Sequence, residues 1–287
     1  MSTRGPHDTA VRCEVCPHGC VLVPGNVGRC RARAIEDGRV VPRSYGRITS
    51  MALDPVEKKP LAHWMSGHYL LSVGSYGCNL RCPFCQNHSI AQAGEGEVPW
   101  RYVSPQDLVD LTLETKVRNP QTVGIAHTYN EPLVAWEYVR DVGALAHEAG
   151  LANVLVSNGC AQPWVIDALA PLVDAANIDL KGFSDEHYRW CGGSFSTVKA
   201  CIERLAAEAG CHLEVTCLAV PHRNDTPHEM RALSGWLASV DPAITLHVTR
   251  YFPRWKMVGD MPTPVDTVYH LADVAREALA HVVVGNC

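Results

Sequence analysis

The sequence contains no run of about 18 apolar residues, the shortest stretch that would cross a membrane as a helix. Its first eight residues, 1–8, are polar and lack the apolar centre of a secretory signal peptide. A basic excess is missing too, because the net charge of −5 provides no general attraction for nucleic acid. We therefore expect a cytoplasmic protein that binds neither membranes nor nucleic acid.

Repeats, low-complexity tracts and long linkers are also absent, and 47% of the 287 residues are hydrophobic. Such a chain can bury the core of one large domain, with or without a small appendage. Its 13 cysteines are many for this length. Without an export signal, they favour metal ligands and buried thiols over disulfides.

Three cysteines, Cys78, Cys82 and Cys85, follow the spacing Cys-x3-Cys-x2-Cys. A cubane four-iron four-sulfur cluster takes four ligands, so three thiolates leave one iron open, as in a catalytic rather than a structural metal centre. S-adenosylmethionine (SAM) could chelate that iron through its amine and carboxylate. A zinc knuckle or a redox thiol pair is the alternative, but zinc usually takes paired Cys-x2-Cys units.

From residue 69 onward, β-rich runs alternate with helical patterns, which is typical of βα units around a parallel sheet. The pattern predicts an α/β fold, a partial (β/α)6 barrel of the TIM type, with its chemistry at the carboxyl ends of the strands. Three helices should begin at Ser104, Thr226 and Thr263, since each is followed by proline and then, at the third position, by an acid. The predicted strands are 69–74, 122–127, 153–157, 175–179, 213–219, 244–248 and 281–284.

Residues 1–63 show little periodicity and are rich in Gly, Pro and Arg. We predict a cysteine-rich subdomain there, stapled by a metal, with the barrel over residues 64–287. Its candidate ligands are Cys13, Cys16, Cys20 and Cys30. A tetrahedral zinc, an auxiliary iron–sulfur cluster and unligated thiols all remain open, and the short segment favours a closed structural zinc.

In the first 60 residues Lys and Arg outnumber Asp and Glu, and six of the arginines lie within residues 29–47. They form either a docking face for an acidic partner or an ordinary solvated surface. These arginines are Arg29, Arg31, Arg33, Arg39, Arg43 and Arg47.

Polar side chains follow the predicted strands at the ends where a barrel would hold a ligand. Glu131 could accept from the SAM amine or cap a helix. Ser157 and Asn158 are SAM contacts or simple turn residues. Asp179 and Lys181 end a buried strand and could hold ribose hydroxyls or the SAM carboxylate.

Three further polar residues belong to the later strands. Glu214 lies among apolar neighbours, so its carboxylate must face a polar barrel interior or a partner. His247 is either a SAM contact or a core histidine, and Arg250 could pair with a carboxylate.

Taken together, eight stretches resemble the radical SAM enzyme of the AmmeMemoRadiSam system, a relative of pyruvate formate-lyase (glycyl radical enzyme) activating enzymes, along nearly the whole chain. One departure is that relatives usually continue past the Gly-Asn at 285–286 with another cysteine-containing segment, whereas this sequence stops at Cys287. The matching stretches are 13–20, 54–60, 78–87, 128–132, 179–182, 224–225, 250–253 and 285–286.

The resemblance implies a four-iron four-sulfur cluster at the three spaced cysteines and SAM as the second cofactor. Phe84 would lie near the adenine and Glu131 near the SAM amine, and Asn130 would be a further cofactor-binding residue. It implies that Asp179, Lys181 and His247 contact the carboxylate and ribose.

The implied reaction is reductive cleavage of SAM to methionine and a 5′-deoxyadenosyl radical that abstracts hydrogen from a substrate. An electron donor such as flavodoxin or ferredoxin would reduce the cluster, and a protein is the expected substrate. Two alternatives are radical modification of a small molecule or peptide and a non-catalytic iron–sulfur redox sensor. Glu131, Asp179 and Lys181 argue against the sensor, which needs no SAM site.

Overall fold

The computed structural model describes residues 10–287, so the polar segment 1–8 lies outside the described residues. Most of this part of the chain is one α/β layer structure with a large parallel sheet. The strands are β1 (Val11–Arg12), β2 (Val21–Leu22), β3 (Arg33–Glu36), β4 (Arg39–Pro42), β5 (Arg47–Ile48), β6 (Ser50–Pro55), β7 (Tyr69–Gly74), β8 (Arg101–Tyr102), β9 (Thr122–His127), β10 (Ala152–Ser157), β11 (Ala175–Asp179), β12 (His212–Ala219), β13 (Thr245–Arg250) and β14 (Val282–Gly285).

The helices follow the strands and contact them from outside, for example α2 on β9, α3 on β10, α6 on β12 and α8 on β13, with ranges given below. None of them within residues 10–287 has the length and apolar character needed to span a membrane. The α-helices are α1 (His88–Ala91), α2 (Pro105–Arg118), α3 (Trp136–Glu148), α4 (Pro163–Leu169), α5 (Asp185–Cys191), α6 (Phe195–Ala207), α7 (Pro227–Val240) and α8 (Val265–Arg276). Short 3₁₀ helices cover Val56–Lys58, Pro132–Ala135, Ala170–Leu172 and Trp255–Met257.

The main sheet has eight strands in the order β14-β13-β12-β11-β10-β9-β7-β6. From β7 to β14 its members run parallel, and β6 is added antiparallel to β7. The two edge strands, β6 and β14, do not pair with each other, so the barrel is incomplete. The predicted α/β partial barrel is confirmed.

The seven parallel strands agree with the predicted strands to within two residues at each end. Their signal is strong because a strand covered on both faces is almost continuously apolar. Polar residues interrupt that pattern where they find hydrogen-bond partners, either inside the barrel or against the helices, as Asn153 Nδ2 does with the Leu172 carbonyl at 2.6 Å. Thr216 Oγ1, for instance, donates to Asn177 Oδ1 of the neighbouring strand at 2.9 Å.

Two of the three predicted helix starts are confirmed. Ser104 Oγ accepts from the backbone N of Asp107, whose carboxylate accepts from the backbone N of Ser104, a complete capping box. Thr226 Oγ1 accepts from the backbone N of Glu229 in the same way.

The third predicted start is wrong. Helix α8 has Pro264 at its N-cap with no side-chain cap, and Thr263 lies before it. Thr263 is fully buried and its hydroxyl donates to the Ala219 carbonyl at the end of β12, at 2.6 Å. A tertiary partner therefore replaced the local cap that the sequence pattern predicted.

The N-terminal region consists of the β-hairpins β1–β2 and β3–β4, while β5 pairs with β8. The predicted boundary at residue 63 does not coincide with a break in the main sheet, since β6 is already its edge strand. A separate subdomain over residues 1–63 stays a prediction.

Residues 56–63, which we call the base segment, run across the amino-terminal end of the barrel. The carbonyl of Pro60 accepts from Asn177 Nδ2 of β11 at 2.7 Å. The Glu214 carboxylate of β12 accepts hydrogen bonds from the backbone amides of Ala62 and His63 at 2.9 and 2.8 Å. Glu214 thus faces the barrel interior, one of its two predicted surroundings, and anchors the base segment.

A buried ion pair holds the start of the base segment. Asp54 accepts from Lys59 Nζ at 2.7 Å, from Lys58 Nζ at 2.8 Å and from the Tyr129 hydroxyl at 2.7 Å. Although burial alone would raise the pKa of Asp54, these hydrogen bonds hold it well below its usual range. The Lys59 side chain is only 3% exposed, so its charge depends on Asp54.

We expect Asp54→Ala to lower the free energy of unfolding by about 3–5 kcal/mol, because it leaves the Lys59 ammonium buried without its partner. Lys58→Ala is the matched control, since Lys58 is 68% exposed and should contribute less than about 1 kcal/mol. Urea denaturation of both variants measures the difference. Equal losses in the two would show that Lys59 does not rely on the ion pair.

Candidate functional site

The three spaced cysteines lie on the loop between β7 and α1, residues 75–87, here called the cluster loop. Gly77 at its start has φ +89°, and a Cβ there would lie 2.5 Å from the Cys30 carbonyl oxygen and 2.8 Å from Ala32 Cβ. The next residue, Cys78, donates its backbone N–H to that same carbonyl at 3.1 Å. Glycine is therefore required for the cluster loop to lie against the N-terminal region.

Cys78, Cys82 and Cys85 are free thiols, close enough that the charge of Cys82 acts on the other two. Burial, and then the charge of Cys82, raises the pKa of Cys85 to about 11. Burial likewise raises the pKa of Cys78, followed by the nearby charges of Glu131 and Cys82. Asn158 Nδ2 points at Cys78 Sγ at 3.6 Å. Cys78 and Cys85 are therefore desolvated thiols that need a positive centre to exist as thiolates.

The donor set fits an iron–sulfur cluster. Within residues 10–287, no three His, Cys, Asp or Glu side chains are grouped to hold one metal ion. In a cubane, however, each thiolate binds a different iron, so the sulfurs stand farther apart than the ligands of a single ion. Cys78, Cys82 and Cys85 are the residues that would hold it.

Glu131 is a buried carboxylate, 2% exposed, at the carboxyl end of β9. It accepts from the Leu133 amide at 2.9 Å, the Ser157 hydroxyl at 2.7 Å and the Asn158 amide at 2.8 Å. Burial raises its pKa to about 7 despite these hydrogen bonds. Glu131 is therefore a cap of the Pro132–Ala135 helix, and its charge also acts on Cys78.

Asp179 and Lys181 form an ion pair at the carboxyl end of β11, with Lys181 Nζ 2.8 Å from Asp179 Oδ2. Burial lowers the pKa of Lys181, but the charges of Asp179 and Cys82 outweigh it and raise this pKa above its usual value. The pair thus lies beside the cluster loop, and Asp179 also acts on Glu131. The structure brings these predicted residues to the three thiols.

Asn130 is engaged with the backbone of the cluster loop. Its Oδ1 accepts from the Ser75 amide at 2.8 Å, and its Nδ2 donates to the carbonyls of Tyr76 and Gly77 at 3.2 and 3.0 Å. These bonds fix the path of the loop ahead of Cys78. Contact between Asn130 and SAM stays a prediction.

His247 and Arg250 have other partners. His247 is level with Asp179 across the sheet, but its Nε2 lies 2.5 Å from Glu214 Oε2, on the side of the base segment. Arg250 Nε donates to the Thr263 carbonyl at 2.7 Å rather than to a carboxylate. The buried carboxylate of Glu214 is a stronger hydrogen-bond acceptor for the His247 imidazole than an uncharged oxygen would be. Their predicted SAM contacts are not tested.

Phe84 is 5% exposed and its ring centre lies 5.4 Å from that of Trp190. It forms an apolar wall inside the cluster loop between Cys82 and Cys85. This position excludes water from the thiols, and its contact with adenine stays a prediction.

Two residues of this region gave no signal in the sequence. Asn79 accepts from Asn158 Nδ2 at 3.0 Å and donates to the Cys160 carbonyl at 2.6 Å. The Cys191 thiol hydrogen-bonds to Cys82 and lowers the pKa of that thiol. Both contacts join segments that are far apart in the chain, so no local sequence motif predicts them.

The four N-terminal cysteines also converge. A Cβ on Gly28 would lie 3.6 Å from Cys30 Sγ and 3.9 Å from Cys20 Sγ. Burial, and then the charges of the other three cysteines, raises the pKa of Cys16 to about 11. They are not grouped around one ion in the described part of the chain. Zinc or an auxiliary cluster at Cys13, Cys16, Cys20 and Cys30 stays a prediction.

Comparison with known proteins decides the family. The sequence profile of the Radical SAM superfamily matches residues 72–237. This chain belongs to the radical SAM superfamily. As a radical SAM protein it takes a four-iron four-sulfur cluster and SAM as cofactors. It is 34% identical over 282 residues to the uncharacterized protein MJ0808 of Methanocaldococcus jannaschii, covering 97% of this chain and 82% of that protein.

Solved structures with low identity share the radical SAM fold. A radical SAM methyltransferase from Sphaerobacter thermophilus has a TM-score of 0.57 and 15% identity, over 76% of this chain and 66% of that one. SuiB of Streptococcus suis bound to S-adenosylmethionine has a TM-score of 0.57 and 12% identity, over 74% and 48%. A domain of pyruvate-formate lyase-activating enzyme from Bacteroides vulgatus has a TM-score of 0.50 and 14% identity, over 57% and 99%.

His127, at the end of β9 next to this site, should make the radical SAM barrel sensitive to acid. It is 3% exposed, its Nε2 has no hydrogen-bond partner within residues 10–287, and burial lowers its pKa to about 4. The unfolded chain takes up this proton near pH 6.5, so folding loses up to about 3 kcal/mol as pH falls from 6.5 to 4.

Urea denaturation at several pH values tests this. His127→Gln should flatten the dependence between pH 6.5 and 4, whereas the exposed His270→Gln should leave it unchanged. An unchanged slope in His127→Gln would show that this histidine is already protonated in the folded state.

Proposed function

We propose that this protein is a radical SAM enzyme of the AmmeMemoRadiSam group, related to glycyl radical enzyme activating enzymes, and that its substrate is a protein. When bound, a cluster reduced by an external donor would supply one electron to the sulfonium of SAM, whose S–C5′ bond would break to give methionine and a 5′-deoxyadenosyl radical that takes a hydrogen atom from the substrate. The observation that carries the proposal is the convergence of Glu131, Asp179 and Lys181 on the three free thiols.

The chain's own residues bind and orient. The Glu131 carboxylate, fixed by the hydroxyl of Ser157 and the amide of Asn158, accepts from the SAM amine. The Asp179–Lys181 pair offers one acceptor and one donor beside it, for a ribose hydroxyl and a carboxylate. Because these groups are held in place before SAM arrives, binding costs little reorganisation.

A protein substrate is supported by the surface beside the cluster loop. The loop after β13 packs on the cluster loop, with the Lys256 amide donating to the Pro83 carbonyl at 3.1 Å and Trp255 stacked on His88 at 5.7 Å. Beyond this contact, Val258 is 73% and Met261 77% exposed. Exposed apolar side chains on a loop next to a site favour contact with a polypeptide.

The names of two proteins with similar solved structures also support a protein substrate. One is a domain of a pyruvate-formate lyase-activating enzyme, and another structure of SuiB is bound to the precursor peptide SuiA. Both descriptions concern polypeptide partners of those proteins. The barrel is also left unclosed between its edge strands β6 and β14.

Deuterium transfer tests the proposal. The anaerobically reconstituted enzyme, reduced with dithionite, is incubated with SAM and deuterated cell extract separated into protein and small-molecule fractions. We expect deuterium in 5′-deoxyadenosine from the protein fraction, and less of it with Met261→Glu, which charges the apolar surface. Transfer from the small-molecule fraction alone would replace the protein substrate with a metabolite, and no 5′-deoxyadenosine under any reducing condition would favour the redox sensor.

A further inference from the structure

Most of the arginines that the sequence suggested as a docking face are neutralised by carboxylates. Only Arg29 and Arg39 among the six lack an ion pair within residues 10–287. The pairs of the other four are Arg31–Glu97, Arg33–Glu137, Arg43–Glu36, Arg43–Glu95 and Arg47–Glu95. The predicted six-arginine face is therefore not a free basic surface, and the polar group aimed at the cluster thiols belongs to an asparagine instead.

This asparagine, Asn158, directly follows β10 and holds its side-chain amide in one orientation. Its Oδ1 accepts from the backbone N–H of Cys160 at 2.8 Å, and its Nδ2 donates to Asn79 Oδ1 at 3.0 Å. The reversed amide would set two donors against each other at Cys160 and two acceptors against each other at Asn79. The hydrogen bonds therefore decide which end of the Asn158 amide is the donor.

Asn79 is fixed from its other side. Its Nδ2 donates to the Cys160 carbonyl at 2.6 Å, and its own backbone carbonyl lies 2.8 Å from His18 Nε2 of the N-terminal region. Both asparagines are buried, with Asn79 1% and Asn158 5% exposed. The donor end of Asn158 is thus held by protein groups alone, ready before a cofactor binds.

The second N–H of the Asn158 amide points at a cluster cysteine. Asn158 Nδ2 lies 3.6 Å from Cys78 Sγ, and the backbone N–H of Leu80 donates to the same sulfur at 3.3 Å. An amide nitrogen carries two N–H groups, and Asn158 uses one on Asn79 and the other on Cys78. Its side chain therefore has no donor left for SAM, the ligand that the sequence suggested for it.

The sulfur that receives these donors lies in a negative environment. Burial, and then the charges of Glu131 and Cys82, raise the pKa of the Cys78 thiol. A hydrogen bond donated to a thiolate opposes such a field, because bonds to a charged acceptor are stronger than those between neutral groups. The Asn158 amide is placed to supply this compensation.

We propose that Asn158 sets the reduction potential of the cluster by donating a hydrogen bond to the thiolate of Cys78. Hydrogen bonds to the ligand sulfurs are among the factors that determine the potential of an iron–sulfur cluster. Reduction adds one electron, breaks no bond and makes the sulfur a stronger acceptor, so the Asn158 bond stabilises the reduced state more than the oxidised state. Asn158 is thus a positioning residue that acts through Cys78, whatever the substrate.

Redox titration of the reconstituted full chain without SAM, followed by electron paramagnetic resonance, tests this role. In Asn158→Ala the equilibrium constant for reduction should fall by about threefold to tenfold, and tenfold corresponds to about 59 mV for a one-electron couple. Asn158→Leu should give a shift in the same direction. Because leucine fills the space that alanine leaves open, a shift shared by both variants cannot come from water entering a cavity.

Asn224→Ala is the matched control. Asn224 is also a buried asparagine, 2% exposed, and its Nδ2 lies 3.7 Å from a sulfur, but that sulfur belongs to Cys217, outside the cluster loop. This variant loses the same kind of contact and should keep the wild-type potential. Iron content should equal that of the wild type in all three variants.

Three results would overturn the proposal. The first is a wild-type potential in both Asn158 variants with full iron content, and the second is an equal shift in Asn224→Ala, which would trace the effect to lost stability. The third is loss of iron from both Asn158 variants with iron retained in Asn224→Ala, since Asn158 would then only support the cluster loop.

Discussion

Replacing Cys78, Cys82 and Cys85 together by Ala is expected to abolish both the SAM-responsive paramagnetic signal and the formation of 5′-deoxyadenosine. The three thiols are the only ligands that the cluster loop offers, and an iron–sulfur cluster is held by such thiolates. The loss should be complete, because the electron has no other entry to the sulfonium. Electron paramagnetic resonance of the dithionite-reduced protein with and without SAM measures it.

Cys211→Ala is the control for this variant, because Cys211 is a free, partly buried thiol on a different part of the barrel. It should retain full iron content and full cleavage. A SAM-responsive signal that survives in the triple variant would mean that the cluster is bound elsewhere.

The triple variant also isolates the four N-terminal cysteines, which it leaves intact. With a closed tetrahedral site at Cys13, Cys16, Cys20 and Cys30, metal analysis should find about one zinc per chain and no iron. A stoichiometric iron–sulfur chromophore would instead identify an auxiliary cluster, and neither metal would indicate free thiols.

Glu131→Ala is expected to weaken SAM binding by about 1.5–3 kcal/mol, the usual contribution of a hydrogen bond to a charged group. Glu131→Gln separates this effect from helix capping, because its amide oxygen can still accept from the Leu133 amide while the charge is lost. Both variants should therefore lose SAM affinity, but Glu131→Ala should lose more stability, because Glu131→Gln gives up only the acceptor for the Asn158 amide. Equilibrium binding of SAM to the cluster-loaded protein, beside thermal unfolding, tests the pair.

Unchanged SAM affinity in Glu131→Gln with intact iron content would remove Glu131 from the SAM site and leave it as a helix cap. The Asp179–Lys181 pair would then be the remaining candidate for orienting the ligand.

The barrel and its cysteine loop could be predicted because their signals are local. A strand such as β7 is apolar along its whole length, and three thiols within eight residues define their own chemistry. The spacing that places Cys78 beside Cys82 is present in the sequence itself. Likewise, the polar residues after β9 and β11 were found because parallel strands end at one edge of a sheet.

What could not be predicted depends on contacts between distant segments. Thr263 looks like a helix cap, yet its hydroxyl bonds to the end of β12. His247 forms a hydrogen bond with Glu214, and Asn130 forms hydrogen bonds with the backbone of the cluster loop. Both side chains were expected to contact SAM, and both have protein partners. The thiol of Cys191 reaches Cys82 only through the packing of α5. Each outcome was decided by tertiary partners that a single sequence does not display.

The base segment also has a kinetic consequence. Residues 56–63 occupy the amino-terminal end of the barrel, so SAM and substrate approach the thiols from the carboxyl ends of the strands, where Met261 is exposed on the loop after β13. A protein seated on that mouth would cover the route taken by the smaller ligand. For the proposed protein substrate, we expect compulsorily ordered binding, with SAM binding first and methionine and 5′-deoxyadenosine leaving last. Excess protein substrate should then slow turnover by trapping these products beneath it.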